Sequence, residues 1–262
     1  MSTPTYLDLG PDRRIAHVRT KAQGAGRAAP GVVFLGGFRS DMEGTKALAL
    51  EAWARREGHA FLRFDYRGHG ASSGAFEDGC VGDWADDAIQ AVTRLTEGPQ
   101  VVVGSSMGGW IALLLARAAP ARVAALVGVA AAPDFTVEMA ASMNEAARAE
   151  MAATGLWRRP SAYSDDPYPI TRKLIEDGAR NLVLDAPLRV GFPVRLLQGT
   201  ADEDVSVDVA MRLLGHVEGP DTRLTLVKGA DHRFSGAREI DLLIATVEEA
   251  GLVAQKGISS PE

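Results

Sequence analysis

The chain begins with two short segments, TYLDL and RIAHVRT, flanking the turn residues GPDR, a pattern that predicts an N-terminal hairpin. After a polar loop the pattern changes. VVFLGG is continuously apolar, as a strand covered on both faces has to be. ALALEAWARRE then repeats Ala, Leu and Trp at helical spacing, and HAFLRFDYRGHG returns to a strand that runs into a glycine-punctuated loop. VGDWADDAIQAVTRL predicts an amphipathic helix, with Asp83 as its N-cap and Ile89, Val92 and Leu95 on one face. QVVVGSS, MGGWIALLLARAAP and VAALVGVAAAP repeat strand, helix, strand. Alternation of this kind predicts an α/β fold, with a mostly parallel central sheet and helices on both faces.

The rhythm breaks after Pro133. Residues 134–188 contain no strand-like run, and helical pieces are expected in VEMAASMNEAARAEMAA and ITRKLIEDGARNLVL. Strands and helices resume with FPVRLLQGTADEDV, a helix from about Val207, TRLTLVKGADH and a last helix EIDLLIATVEEAG; the tail QKGISSPE is expected to fray. The strands on either side belong to one alternation. The organisation expected is therefore a core of residues 1–133 and 189–262 carrying a helical cap, residues 134–188, over the end of the sheet where ligands collect. Phe135, Met139, Met143, Met151, Trp157, Tyr163 and Tyr168 lie in that cap and would suit an apolar acyl pocket.

Composition narrows the classes. Lys and Arg total 28 against 34 Asp and Glu, a net charge of −6, which argues against nucleic acid as a partner. No apolar run reaches the length of a membrane span, so stable membrane insertion is not expected. The start MSTPTYLDLGPDRR has neither the basic flank nor the apolar stretch of a signal peptide, and the single cysteine, Cys80, cannot form an intrachain disulfide. These features lead to the expectation of a cytoplasmic protein. The five histidines are scattered and no cysteines pair with them, so no metal-ligand spacing is present.

The strand–helix junction VVVGSSMGGW carries the chemistry. Gly104-Ser105-Ser106-Met107-Gly108 is G-x-S-x-G, a turn in which the central residue is strained and neighbours two positions away must be small. Centred on Ser105 the flanking residues would be Val103 and Met107; centred on Ser106 they are glycines. Ser106 is the candidate nucleophile. Its hydroxyl needs a base oriented by a carboxylate. His232, in the loop after LTLVKG, follows in the order Ser, acid, His expected of such a fold. The acid has two contenders: Asp202, after the strand VRLLQG, and Asp134, after VAALVGVAAAP. Loop pattern and position before His232 favour Asp202, with Glu203 and Asp204 as lesser candidates. The N–H of Met107, at a helix N-terminus, and the N–H of Phe38, after Gly36 and Gly37, are the expected oxyanion donors. FDYRGHGASSG matches no phosphate-binding loop, and Asp65 and His69 within it are expected to serve as hydrogen-bonding posts.

FDYRGHGASSG, VVVGSSMGGW, GTADEDV and GADH together resemble the α/β-hydrolase superfamily over nearly the full chain. More narrowly, GTKALALEAWARREGHAFLRFDYRGHGASSG, GPQVVVGSSMGGW and RVAALVGVAAAPDFT are similar to the mitochondrial palmitoyl-protein thioesterase family, also known as an acyl-glucuronide esterase and having bacterial relatives. The resemblance implies a cofactor-free serine hydrolase of acyl esters or thioesters, with a triad of Ser106, Asp202 and His232. Gly36 stands where many hydrolases carry the histidine of a His-Gly pair, which leaves the Phe38 N–H in place and removes a side chain from the hole.

The function expected is hydrolysis of a small-molecule ester or acyl thioester, or of an acylated protein, through an acyl-enzyme. A peptidase or acyltransferase would use the same serine. A non-catalytic binding module on the same scaffold predicts a decayed triad position, and all three positions are filled. Nothing in the pattern specifies an oligomeric state.

Overall fold

A computed structural model describes residues 3–160 and 167–258. Eight strands form the central sheet: β1 (Thr5–Asp8), β2 (Arg14–Thr20), β3 (Gly31–Leu35), β4 (Phe61–Phe64), β5 (Gln100–Ser105), β6 (Val123–Val129), β10 (Val194–Gly199) and β12 (Thr222–Val227). Between them in chain order come the cap strands β7 (Leu156–Arg159) and β8 (Tyr168–Thr171), and a two-residue parallel pair, β9 (Leu188–Arg189) with β11 (Val217–Glu218). The helices are α1 (Thr45–Glu57), α2 (Val81–Leu95), α3 (Met107–Ala118), α4 (Phe135–Ala141), α5 (Glu145–Thr154), α6 (Arg172–Gly178), α7 (Val207–His216) and α8 (Ala237–Ile258).

The sheet order is β1-β2-β4-β3-β5-β6-β10-β12. The N-terminal hairpin and its β2–β4 pairing are antiparallel, and every other pairing within this eight-stranded sheet is parallel. Continuous apolar runs sit in the middle of the sheet because both faces are covered. On β3, Val33 and Leu35 pack with α2 and α3, while Val32 and Phe34 pack with α1 and α8. On β5, Val102 faces the first layer and Val101 and Val103 the second. Parallel pairing also brings the C-terminal ends of β3, β5, β6, β10 and β12 to one edge, where their loops converge.

Local departures from the expected elements have identifiable causes. Helix α2 starts at Val81 with Cys80 in the cap position, so Asp83 lies within the first turn rather than at the N-cap. There it pairs with Lys173 of α6 at 2.7 Å and with Arg67, after β4, at 3.1 Å. The buried face of α2 runs through Trp84, Ala88, Val92 and Leu95, leaving Ile89 half-buried at its margin. The segment after Pro133 is not strand-free: β7 and β8 pair antiparallel, with Trp157 opposite Ile170. Two four-residue strands rich in Arg and Pro carry too little alternation to stand out. The helical pieces expected after Pro133 are two, α4 and α5, divided where Asn144 accepts the Ala147 N–H at 2.8 Å and starts a new helix. Helix α6 ends at Gly178 instead of continuing to Leu184. The Val183 and Leu184 N–H groups instead donate to the two carboxylate oxygens of Asp134, each at 2.9 Å. At the C-terminus α8 runs on through Gln255 to Ile258, so the expected fraying does not begin at Gln255; residues 259–262 lie outside the described residues.

Candidate active site

Ser106 stands between β5 and α3 with φ 55° and ψ −118°, a conformation side chains rarely adopt. Its backbone is held from several sides. The Ser106 N–H donates to the Val129 carbonyl at 2.9 Å, and the Ser106 carbonyl accepts from Gly109 at 2.9 Å and Ala132 at 3.1 Å. The glycines are required by space. A Cβ on Gly104 would overlap the Gly108 carbonyl, one on Gly108 the Leu35 carbonyl, and one on Gly109 the Ala131 side chain. The third of these, Gly109, was not singled out from the sequence; it lets α3 approach the end of β6.

The turn aims Ser106 Oγ at His232 Nε2, 3.1 Å away. His232 Nδ1 faces Asp202 Oδ2 at 2.9 Å and Oδ1 at 3.1 Å. With Nδ1 against a carboxylate, Nδ1 carries the proton and Nε2 is left to accept. The Asp202 side chain is fully buried, and Oδ1 accepts the Asp204 and Val205 N–H groups at 2.9 and 2.8 Å. Gln198 donates to Oδ2 at 2.9 Å and to the Val205 carbonyl at 2.9 Å. Burial is the largest influence on Asp202 and opposes ionisation. The hydrogen bond to His232, the Val205 N–H, the nearby imidazole charge and Gln198 together outweigh it, holding the carboxyl below the usual range. Gln198 had one signal in the sequence, as the only uncharged polar side chain in VRLLQG. Asp134, the other contender, is spent on Val183 and Leu184 and does not reach His232.

The loop after β3 passes directly over the serine: a Cβ on Gly37 would lie 3.5 Å from the Ser106 Cβ. Among the described residues neither the Phe38 nor the Met107 N–H has a hydrogen-bond acceptor. Asp65 and His69 act as posts, as expected. Asp65 accepts the Met42 and Ala71 N–H groups at 2.6 and 2.8 Å, and His69 Nε2 accepts the Arg39 N–H at 3.3 Å.

A cavity of about 660 Å³ opens beside Ser106. Its lining includes the apolar Phe38, Phe135, Met139 and Tyr168 and the polar Ser40, Lys46, Arg233 and Ser235. Burial pushes the Lys46 ammonium down to about 8, with Asp231 opposing and Arg233 assisting, and its Nζ donates to the Arg233 carbonyl. Not every expected pocket residue is there. Met143, just before α5, and Met151 on it line a separate outer groove with Ile175 of α6. Trp157 packs against the core cluster, and Tyr163 lies outside the described residues. Asp202, Asp204 and His232 present donor atoms within 4.8 Å of one another, the spacing a metal would need. Both Asp202 oxygens are already committed to N–H donors.

A parallel sheet with a strained, glycine-framed serine at the end of a central strand is the architecture of an α/β hydrolase. The chain belongs to the alpha/beta hydrolase family, whose sequence profile matches residues 32–245. It is 39% identical over 222 residues to the mitochondrial palmitoyl-protein thioesterase ABHD10 of Bos taurus, covering 84% of this chain and 72% of that protein. The human protein of the same name is 37% identical over the same shares of both chains. A putative hydrolase from Agrobacterium vitis S4 superposes with a TM-score of 0.89 at 39% identity, covering 95% of this chain and 97% of that one. Mouse alpha/beta hydrolase domain-containing protein 10 does so with a TM-score of 0.86 at 34% identity, over 95% and 98% of the two chains. These relatives overturn the expected cytoplasmic address, since the curated ones are named as mitochondrial. Net charge and cysteine count describe a surface and its redox tolerance, whereas an address is a signal read by a receptor.

Proposed function

We propose that the protein is a serine hydrolase of acyl esters or acyl thioesters. Ser106 is the nucleophile, His232 the base, Asp202 the orienting acid, and the Phe38 and Met107 N–H groups the oxyanion donors. The observation that carries this is the unbroken relay from Ser106 Oγ through His232 to Asp202, with contacts of 3.1 and 2.9 Å. Ser106 Oγ attacks the acyl carbonyl carbon as His232 Nε2 takes its proton, and the two N–H groups hold the negative oxygen. Collapse expels the alcohol or thiol, which leaves with the proton from His232. Water then repeats the sequence on the acyl-enzyme, releasing the acid and restoring the serine. The apolar lining of the cavity, framed by residues 134–188 as a cap on the core of 1–133 and 189–262, accepts the acyl group. The names of the relatives favour a thioester among the possible leaving groups.

An active-site-directed fluorophosphonate is expected to label the native protein at Ser106, and Ser106→Ala to abolish both labelling and turnover of acyl thioesters and p-nitrophenyl esters. Labelling at Ser105, or turnover surviving in Ser106→Ala, would sink the assignment. An unlabelled, inactive but folded protein would favour a binding module on the hydrolase scaffold.

A further inference from the structure

The residue after the expected oxyanion donor is held in an unusual way. Arg39 has φ 55°, in the left-handed region, although it is neither glycine nor asparagine. Such a conformation persists only where its surroundings over-determine it, and the Phe38–Arg39 peptide it follows lies directly beside the Phe38 N–H. Two kinds of contact supply the constraint. Through its side chain, the Arg39 guanidinium donates to the Pro167 carbonyl at 3.3 Å and lies over the Tyr168 and Phe76 rings at 5.6 and 5.5 Å. Through its backbone, the Arg39 N–H donates to His69 Nε2 at 3.3 Å.

His69 is buried, 3% exposed, edge-on to Tyr66, Phe76 and Trp84. Its Nδ1 faces the Arg67 carbonyl at 3.2 Å. A backbone N–H can only donate and a carbonyl can only accept, so the two contacts select one state of the ring: neutral, protonated at Nδ1, with its lone pair on Nε2. Burial, the largest influence, keeps the ring neutral by lowering its pKa, with Arg39 assisting; the Arg67 carbonyl and Asp87 oppose. A proton on Nε2 would set donor against donor at Arg39.

We propose that His69 is a positioning residue for the oxyanion hole, using its Nε2 lone pair to hold the Arg39 N–H and so aim the adjacent Phe38 N–H at the developing negative charge. It touches no reacting atom. The proposal rests on Phe38 being an oxyanion donor in the reaction given above. Loss of a properly aimed donor harms the transition state more than the bound substrate, so the expected signature falls on kcat.

Three variants test it. His69→Phe keeps the ring and removes the acceptor; His69→Asn keeps a donor toward Arg67 but is too short to place its amide oxygen where Nε2 stood; His69→Gln can restore an acceptor to Arg39. With a p-nitrophenyl ester, the first two are expected to lower kcat by roughly tenfold to a hundredfold with KM within about twofold. Binding of an acyl trifluoromethyl ketone, whose serine adduct carries the same oxyanion, is expected to weaken by a similar factor. His69→Gln is expected to recover most of the loss. Should His69→Phe fail to fold, His69→Asn and nitrogen NMR of the His69 ring in the unmodified protein carry the test, the latter expecting the Nδ1–H tautomer. An Nε2–H tautomer, a loss confined to KM, or a folded acceptor-free variant with unchanged kcat would overturn the proposal. Ser106→Ala is measured alongside: if it remains active, the parent reading has failed, and the His69 results no longer bear on an oxyanion hole at that serine.

Discussion

Ser106 and Asp134 both hold positive φ, at 55° and 57°, yet the surroundings use the two residues for opposite purposes. The Ser106 turn leaves its hydroxyl facing an imidazole, and the Asp134 turn spends both carboxylate oxygens on the far end of the cap. From this difference follows an expected outcome for paired variants. Under the proposed mechanism, Asp202→Asn takes away the charge that would stabilise the imidazolium and the acceptor that would fix its tautomer, so kcat is expected to fall about a thousandfold or more. Asp134→Asn keeps one acceptor and loses the other, which costs stability, on the order of 1–3 kcal/mol, while kcat changes little. Steady-state kinetics and thermal melts of both variants check this, and a comparable loss of kcat at Asp134 would contradict it. The serine, the histidine and the favoured acid were legible because glycine spacing and chain order are written in one dimension. The Arg39 backbone, the His69 tautomer and the Gln198 support were not, because each depends on which partner a fold brings within about 3 Å.

The core elements were legible for a different reason. A strand covered on both faces has to be apolar throughout, and VVFLGG, QVVVGSS and VAALVGV announce this without help from tertiary context. The cap elements depend on their neighbours. Its hairpin buries little beyond Ile170, and its helices are seven to ten residues long, too short for periodicity to separate pocket-facing from outward-facing methionines. Met139 on α4 and Met143 just beyond it are both 7% exposed, yet only Met139 lines the cavity beside Ser106, and Met143 lines the outer groove. Met139→Ala should therefore open acyl space, changing the ratio of kcat/KM between long and short acyl substrates by about tenfold. Met143→Ala should destabilise, by about 2–5 kcal/mol for a buried methionine, and leave that ratio as it was. A p-nitrophenyl ester series run on both variants makes the comparison. Equal shifts, or a shift at Met143 alone, would mean that the acyl chain runs along the outer groove.

At the scale of the molecule the question is whether residues 134–188 behave as a separable lid. Met139, Ile170, Leu174, Val183, Leu184 and Leu188 belong to the same buried cluster as Trp84, Met107 and Trp110 of α2 and α3. Polar contacts follow the same seam. Trp110 donates to the Asn181 carbonyl at 3.1 Å, Gly82 to Asp177 at 2.7 Å, and Arg117 to the Leu182 carbonyl at 2.8 Å. Lifting the α6 side would expose that shared core and strand these donors. A cap that shares its core with α2 and α3 cannot melt before them. Calorimetry is therefore expected to show one unfolding transition with equal calorimetric and van't Hoff enthalpies. The test is sharpened by Asp134→Asn, which weakens the tie between the two ends of the insertion: its single transition should move to lower temperature without splitting. A distinct low-temperature transition, in the unmodified protein or in the variant, would show instead that the insertion opens as a unit of its own and that substrate can enter beneath it.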